Sequence, residues 1–299
     1  MRIAVTGRSG QIALSMRERA QGKAITVVLV GRPELDLNLP QTVLPALRAA
    51  NPDVIVHAAA YTAVDSAETE RQEANAINSF GTSEVARAAA ELAVPLIYFS
   101  TDYVFDGRSQ RPYNEEDSVN PINAYGYSKL LGERAVAATG PNHAILRTSW
   151  VYSPFSHNFV KTMLSLALTR EQVSVVADQH GSPTSALDIA DGALAVCRKL
   201  LELPQKRELR GTFHMAAAGY ASWAEFAEEI FSISMAAGGP TARVNPVPAS
   251  EYRAKAERPA SSRLNCAKLM AVYEIVLPAW QTSTANCVTR LINTPQRAD

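Results

Sequence analysis

Five short apolar runs, Ile3 to Thr6, Ile25 to Val30, Val54 to His57, Leu96 to Ser100 and Ala144 to Arg147, recur through the first half of the chain. Between them lie stretches such as Gln41 to Ala50, Ala74 to Leu92 and Ala124 to Ala138, which carry helix formers with apolar positions at helical spacing. Runs that are apolar throughout suit strands buried on both faces, and strands separated by helices pair in parallel because a parallel pair needs a long crossover. The expected fold class is therefore α/β, a Rossmann-type doubly wound parallel sheet with ligands at the carboxyl ends of its strands. Beyond about Trp150 the texture changes, with Ser153-Pro, Gly181-Ser-Pro-Thr184, Gly238-Gly-Pro240, Val247-Pro and Arg258-Pro breaking the chain more often. Residues 1–149 are expected to form a dinucleotide-binding domain and 150–299 mainly a smaller α+β substrate-binding lobe, with a return to the sheet domain within about 185–215. Val173 to Ala177 and Thr212 to Met215 are expected as further strands. Ala186 to Leu203 and Ser222 to Ala236 are expected as helices, the latter opened by a capping box of Ser222 and Glu225.

The first apolar run leads straight into Thr6-Gly-Arg-Ser-Gly10 and the helix-like Gln11 to Ala20. This strand, turn and helix order is what a dinucleotide fingerprint needs. Gly7 permits the sharp bend, Gly10 lets the backbone approach a pyrophosphate, and the helix beginning near Gln11 and Ile12 offers its positive end. Ala13 stands in the third glycine position, where the role is close helix–strand packing. A plain turn would account for Gly7 alone. At the end of the second run an NAD site would carry an acidic residue for the ribose 2′-hydroxyl, but here the chain reads Val30-Gly31-Arg32. Arg32 together with Arg8 suits a 2′-phosphate, because guanidinium groups bind phosphate through paired charge-assisted bonds, so NADPH is favoured as the cofactor. Asp36, followed by Leu37, is close enough in sequence to keep NADH as the alternative, with Arg8 and Arg32 then merely solvated.

Tyr125-Gly-Tyr-Ser-Lys129 lies downstream of Phe99-Ser-Thr-Asp-Tyr103. On a helix, positions four apart share one face, so the Tyr125 phenol and the Lys129 ammonium can act on one bound molecule. A free phenol titrates near pH ~10, and a neighbouring cation would bring it toward the working range. Thr101 adds a hydroxyl for the same substrate oxygen. A tyrosine and a lysine at this spacing also occur on many solvated helix faces. It is the order of the three motifs that marks a candidate hydride-transfer site.

Charge excludes other classes: Lys plus Arg and Asp plus Glu are 29 each, so no nucleic-acid or anionic-membrane surface is expected and partners should be small molecules. Cys197, Cys266 and Cys287 are odd in number and widely spaced, offering neither a disulfide framework nor a zinc site. The chain starts on a strand without a basic-then-apolar leader, and no apolar stretch is long enough to span a bilayer, so a cytoplasmic protein is expected.

These residues resemble the dTDP-4-dehydrorhamnose reductase family of the extended short-chain dehydrogenase/reductase superfamily, across nearly the whole chain. The likeness is carried by Gly7-Arg-Ser-Gly-Gln11, Pro52 through Asp65, Ser100-Thr-Asp-Tyr-Val-Phe105, Tyr125-Gly-Tyr-Ser-Lys-Leu130, Arg147-Thr-Ser-Trp-Val-Tyr152, Asp178-Gln-His-Gly-Ser-Pro-Thr184 and Arg258-Pro-Ala-Ser-Ser-Arg-Leu264. The resemblance implies Tyr125 as proton donor, Lys129 on the nicotinamide ribose and Thr101 on the carbonyl. It places Gly10, Gln11 and Ile12 on the pyrophosphate and Ala60, Tyr61, Thr62 and Phe99 along the cofactor. Asp102 and Trp150 would meet the sugar, Trp150 as a rigid apolar wall, and Arg258 and Arg263 the substrate diphosphate. His57 is read as a packed residue at a strand end. The implied reaction is NADPH-dependent reduction of dTDP-4-dehydro-6-deoxy-L-mannose to dTDP-L-rhamnose, with a nucleotide-sugar substrate and no metal. A homodimer is compatible with the family. Its magnesium-bridged form is doubtful here, because Ile12 to Met16 and Thr184 to Asp188 are poor in carboxylates. Two other readings share the fold: a sugar-nucleotide epimerase or dehydratase that retains its cofactor, and a non-catalytic binding module resembling the methionine adenosyltransferase regulatory β subunit.

Overall fold

The computed structural model describes residues 1–252 and 254–294. Strands β1 (Arg2–Thr6), β2 (Thr26–Val30), β3 (Val54–His57), β4 (Leu96–Thr101) and β5 (His143–Thr148) lie in one parallel sheet. Helices α1 (Gln11–Arg19), α2 (Val43–Ala50), α3 (Thr82–Glu91) and α4 (Ala124–Thr139) connect them. The strands fall within one residue of the expected runs because each run is apolar on both faces. Alternation along them fills two cores. Ile3, Val5, Val54, Val56, Ile97 and Leu146 pack to one side, while Ala4, Ile55, Tyr98 and Ile145 pack to the other against α2 and α3.

Beyond residue 150 the longer strands divide between two sheets. Strand β6 (Gln172–Val176) pairs in parallel with β8 (Arg243–Val247) in a separate two-stranded sheet. Strand β7 (Gly211–His214), reached through helix α6 (Ala186–Glu202), instead joins the main sheet beside β5. The main sheet order is thus β7-β5-β4-β3-β1-β2. The strand order reverses at β1, which lies between β2 and β3. The crevice above β1 and β3 is therefore where such a sheet takes ligands. The second lobe packs around Tyr152, Val160, Val173, Phe226, Ile230 and Trp280, drawing on helices α5 (Phe159–Ala167) and α7 (Trp223–Ala236). Helix α7 opens with the expected capping box, Ser222 and Glu225 bonding each other's backbone N–H.

The segment expected as one helix from Ala74 to Leu92 is not uniform: Ala76–Gly81 is π-helical before α3 begins at Thr82. A Cβ on Gly81 would lie 2.7 Å from that of Leu37, so the widened turn sits hard against the loop after β2.

Candidate active site

A single cleft of about 920 Å³ runs over the carboxyl ends of β1, β3, β4 and β5. At one end Gly7 has a φ of +97°, a left-handed conformation that a side chain would strain, and a Cβ there would contact Ala59 at 3.6 Å. The Thr6 hydroxyl ties this turn to the end of β3 by accepting from the N–H groups of Ala58 and Ala59 at 3.1 and 3.0 Å. Gly10 caps α1 with no side-chain bond, and nothing lies within 4 Å of where its Cβ would be. The first N–H groups of α1, at Gln11 and Ile12, therefore face an open cradle that fits a pyrophosphate. Ala60 and Thr62 line the same cleft. Tyr61 does not; its phenol bonds Glu70 at 2.6 Å, while its backbone is held from both sides by the Asn78 amide at 2.8 and 2.9 Å. Asn78, in the π-helical stretch, also reaches Ser128 on α4, and no local pattern marks it in the sequence.

The loop after β2 departs from expectation in one respect. Arg8 forms an ion pair with Glu34, so a carboxylate does stand in this loop, four residues after Val30. Both side chains are about half exposed, and such a pair contributes little stability. Arg32, Asp36 and Leu37 also line this end of the cleft. Arg32 is exposed, and among the described residues its guanidinium has no hydrogen-bond or ion-pair partner, whereas the Asp36 carboxylate accepts from the N–H of Asn38 within its own turn.

The centre of the cleft is set by α4. Its N-cap Asn123 accepts from Gly126 N–H at 2.7 Å, and a Cβ on Gly126 would lie 2.1 Å from the Tyr103 carbonyl, so the first turn presses directly on the chain after β4. A Cβ on Gly132 would similarly meet the Tyr98 hydroxyl at 2.4 Å. This close approach places Tyr125 and Lys129 beside Phe99, Thr101 and Asp102, all lining the cleft. Lys129 is 3% exposed and donates to the Phe99 carbonyl at 2.8 Å, with its ammonium 4.2 Å over the Tyr98 ring. Burial lowers its pKa to about 7, against the opposing pull of Glu133. Burial also pushes the Tyr125 phenol well above its ordinary range, with the Thr101 hydroxyl drawing it down. Lys129 is not among the groups that lower that phenol here, in contrast to the expected cation effect. His57 is 1% exposed, bonded to Thr6 at 2.7 Å and Thr82 at 3.0 Å, and burial lowers it to about 3. It is a neutral packing residue.

At the far end, Asp102 is 2% exposed and its Oδ1 accepts from Thr101 at 3.0 Å, while Oδ2 has no protein partner. Desolvation raises its carboxyl to about 6, with Ser262, Thr101 and Ser149 pulling the other way. Trp150 lines the cleft, joined there by Trp223, which no sequence signal picked out. The two arginines expected on the diphosphate are placed elsewhere. Arg258 bonds Asp65 at 2.7 Å and Arg263 the Gln110 carbonyl at 2.8 Å; neither lines the main cleft, and Arg263 borders a separate 290 Å³ pocket. Both are claimed by partners remote in sequence. Among the described residues no group of three or more His, Cys, Asp or Glu could hold a metal ion, and no helix is long and apolar enough to cross a membrane.

The profile of the RmlD substrate binding domain family matches residues 1–293. A curated dTDP-4-dehydrorhamnose reductase from Sinorhizobium fredii is 50% identical over 98% of each chain, and one from Burkholderia thailandensis is 41% identical over 98% of this chain and all of its own. This chain belongs to the dTDP-4-dehydrorhamnose reductase family. As a member of that family it is an oxidoreductase. A crystal structure of the Bacillus anthracis reductase in complex with NADP superposes with a TM-score of 0.88 at 35% identity, covering 97% of this chain and 99% of that one. A UDP-glucose 4-epimerase from Thermus thermophilus, at 19% identity and a TM-score of 0.79, shares the fold alone.

Proposed function

We propose that this reductase uses NADPH to reduce the 4-keto group of dTDP-4-dehydro-6-deoxy-L-mannose, giving dTDP-L-rhamnose. The observation that carries the reading is the placement of Thr101, Tyr125 and Lys129 in one cleft with the open glycine cradle at the start of α1. When bound, the cofactor supplies the hydride. The cradle and the α1 N-terminus would receive its pyrophosphate, and Arg32, with no partner among the described residues, the 2′-phosphate. Tyr125 then holds the proton: burial keeps its phenol neutral, and the Thr101 hydroxyl directs it toward the substrate oxygen. Lys129 sits one helical turn on, where its ammonium can leave the Phe99 carbonyl for a ribose hydroxyl. Asp102 offers its free Oδ2 to a sugar hydroxyl. The intact Thr101, Tyr125 and Lys129 set supports turnover over mere binding. The test is NADPH oxidation with the sugar generated in situ by the upstream dehydratase and epimerase; folded protein without turnover overturns the proposal.

A further inference from the structure

Trp150 bears two conformational costs that proton transfer does not require. Its φ of +46° lies in the left-handed region, disfavoured for a bulky side chain. Its indole also lies face to face on that of Trp223, with centroids 3.5 Å apart and planes 5° from parallel, whereas free aromatic pairs prefer to offset or meet edge to face. Costly conformations persist only where the surroundings over-determine them, and they cluster at ligand clamps. The surroundings here are specific. The short strands His180–Gly181 and Ala221–Ser222 pair antiparallel, with Gly181 opposite Ala221. Gly181 abuts the Nε1 to Cζ2 side of the Trp150 indole so closely that a Cβ would lie 2.4 Å from Cε2. Ser222 in the same ribbon caps α7, so the next residue, Trp223, starts that helix in a fixed place, with Phe159 packed on it at 4.7 Å. Both indoles line the cleft.

We infer that Trp223 is a positioning residue for substrate: it locks Trp150 so that the two indoles form one rigid apolar wall for the sugar ring of a nucleotide sugar. The inference rests on the reductase reading and deepens it. An aromatic wall facing a few polar groups is the usual make-up of a small-molecule site, and here Asp102 and Thr101 supply the polar side. The wall acts on substrate binding and leaves the Tyr125 proton untouched.

The test combines steady-state kinetics of wild type, Trp223→Phe and Trp223→Ala with far-ultraviolet circular dichroism, where stacked indoles give an exciton couplet. Trp223→Ala is expected to raise the sugar KM by ~10-fold or more, with kcat and NADPH affinity within ~3-fold of wild type. Trp223→Phe, which keeps an aromatic face, should restore most of the KM, and both variants should lose the couplet. An unchanged KM in folded Trp223→Ala with the couplet gone, or a kcat that falls as far as KM rises, overturns the inference. A wild type that never turns over overturns the reductase reading instead. Quenching of tryptophan fluorescence by the dTDP-sugar then decides the positioning role, which fails if wild type and Trp223→Ala titrate alike.

Discussion

Burial lifts the Tyr125 phenol above its ordinary range, and only the Thr101 hydroxyl opposes it. Such a phenol keeps its proton at any working pH until a developing alkoxide takes it, which suits a donor better than a base. Tyr125→Phe removes that proton while keeping the ring, so turnover should fall by ~100- to 10,000-fold with cofactor affinity nearly unchanged. Near wild-type turnover would assign the proton to another group. Asp102 shows the opposite economy. Its folded pKa is raised to about 6, above an unfolded value near ~3.9. The buried carboxylate therefore costs no stability below about pH 4, an increasing amount as pH rises toward 6, and its full amount above that, on the order of 2 to 3 kcal/mol. Asp102→Asn should accordingly unfold at a higher temperature than wild type at pH 7.5, with the difference vanishing near pH 4, while sugar KM rises. Equal melting temperatures at both pH values would show that the carboxylate is not penalised in the folded state.

The β2 loop is the element to which we assign cofactor choice, and there the structure adds a carboxylate the linear pattern did not assign. Glu34 holds Arg8, while Arg32 has no partner among the described residues. Arg32→Ala should therefore weaken NADPH much more than NADH, by roughly 10- to 150-fold, the range of a charge-assisted contact. Glu34→Gln should shift preference further toward NADPH, by freeing Arg8 and removing a charge that repels phosphate. Ratios of kcat/KM for the two cofactors decide it: equal losses with both in Arg32→Ala make Arg32 a bystander. This loop also shows what was legible in the sequence. Strands apolar on both faces, the glycine turn, the capping box and the Tyr125–Lys129 spacing are local patterns, and the structure puts them where those patterns say. Arg8 with Glu34, Arg258 with Asp65, Asn78 with Tyr61, and Trp150 with Trp223 are pairings across 17 to 193 residues of chain. No periodicity encodes them, so the local motifs were readable in the sequence and these long-range pairings were not.

At the scale of the molecule, the segment from Ala254 to Arg263 is a strap tied to the first half of the chain, and Asp65 is its main anchor. The carboxylate accepts from the N–H groups of Lys255 and Ala256 at 3.1 and 3.0 Å and from Arg258 at 2.7 Å. Asn123, the cap of α4, holds the next carbonyl, Glu257, at 2.9 Å. The strap then buries Ser262, whose N–H and hydroxyl both donate to the His180 carbonyl, at 2.8 and 3.5 Å, and which is among the groups that draw the Asp102 carboxyl down. Arg258 is only 20% exposed, so removal of its partner leaves a largely desolvated cation, while Asp65, at 44%, is partly screened by solvent. The net loss in Asp65→Ala should therefore be modest globally, about 1 to 2 kcal/mol, or a few degrees in melting temperature for a chain of this size. Locally it should be larger. Three of the strap's bonds go at once, and limited proteolysis should cut within 254–263 well before wild type is cut there, with sugar KM rising and NADPH affinity unchanged. Asp65→Asn keeps an acceptor for the two N–H groups and should fall between the two. If Asp65→Ala resists proteases as wild type does, the strap is held by the Asn123 and Ser262 contacts, and the ion pair with Arg258 is incidental to its order.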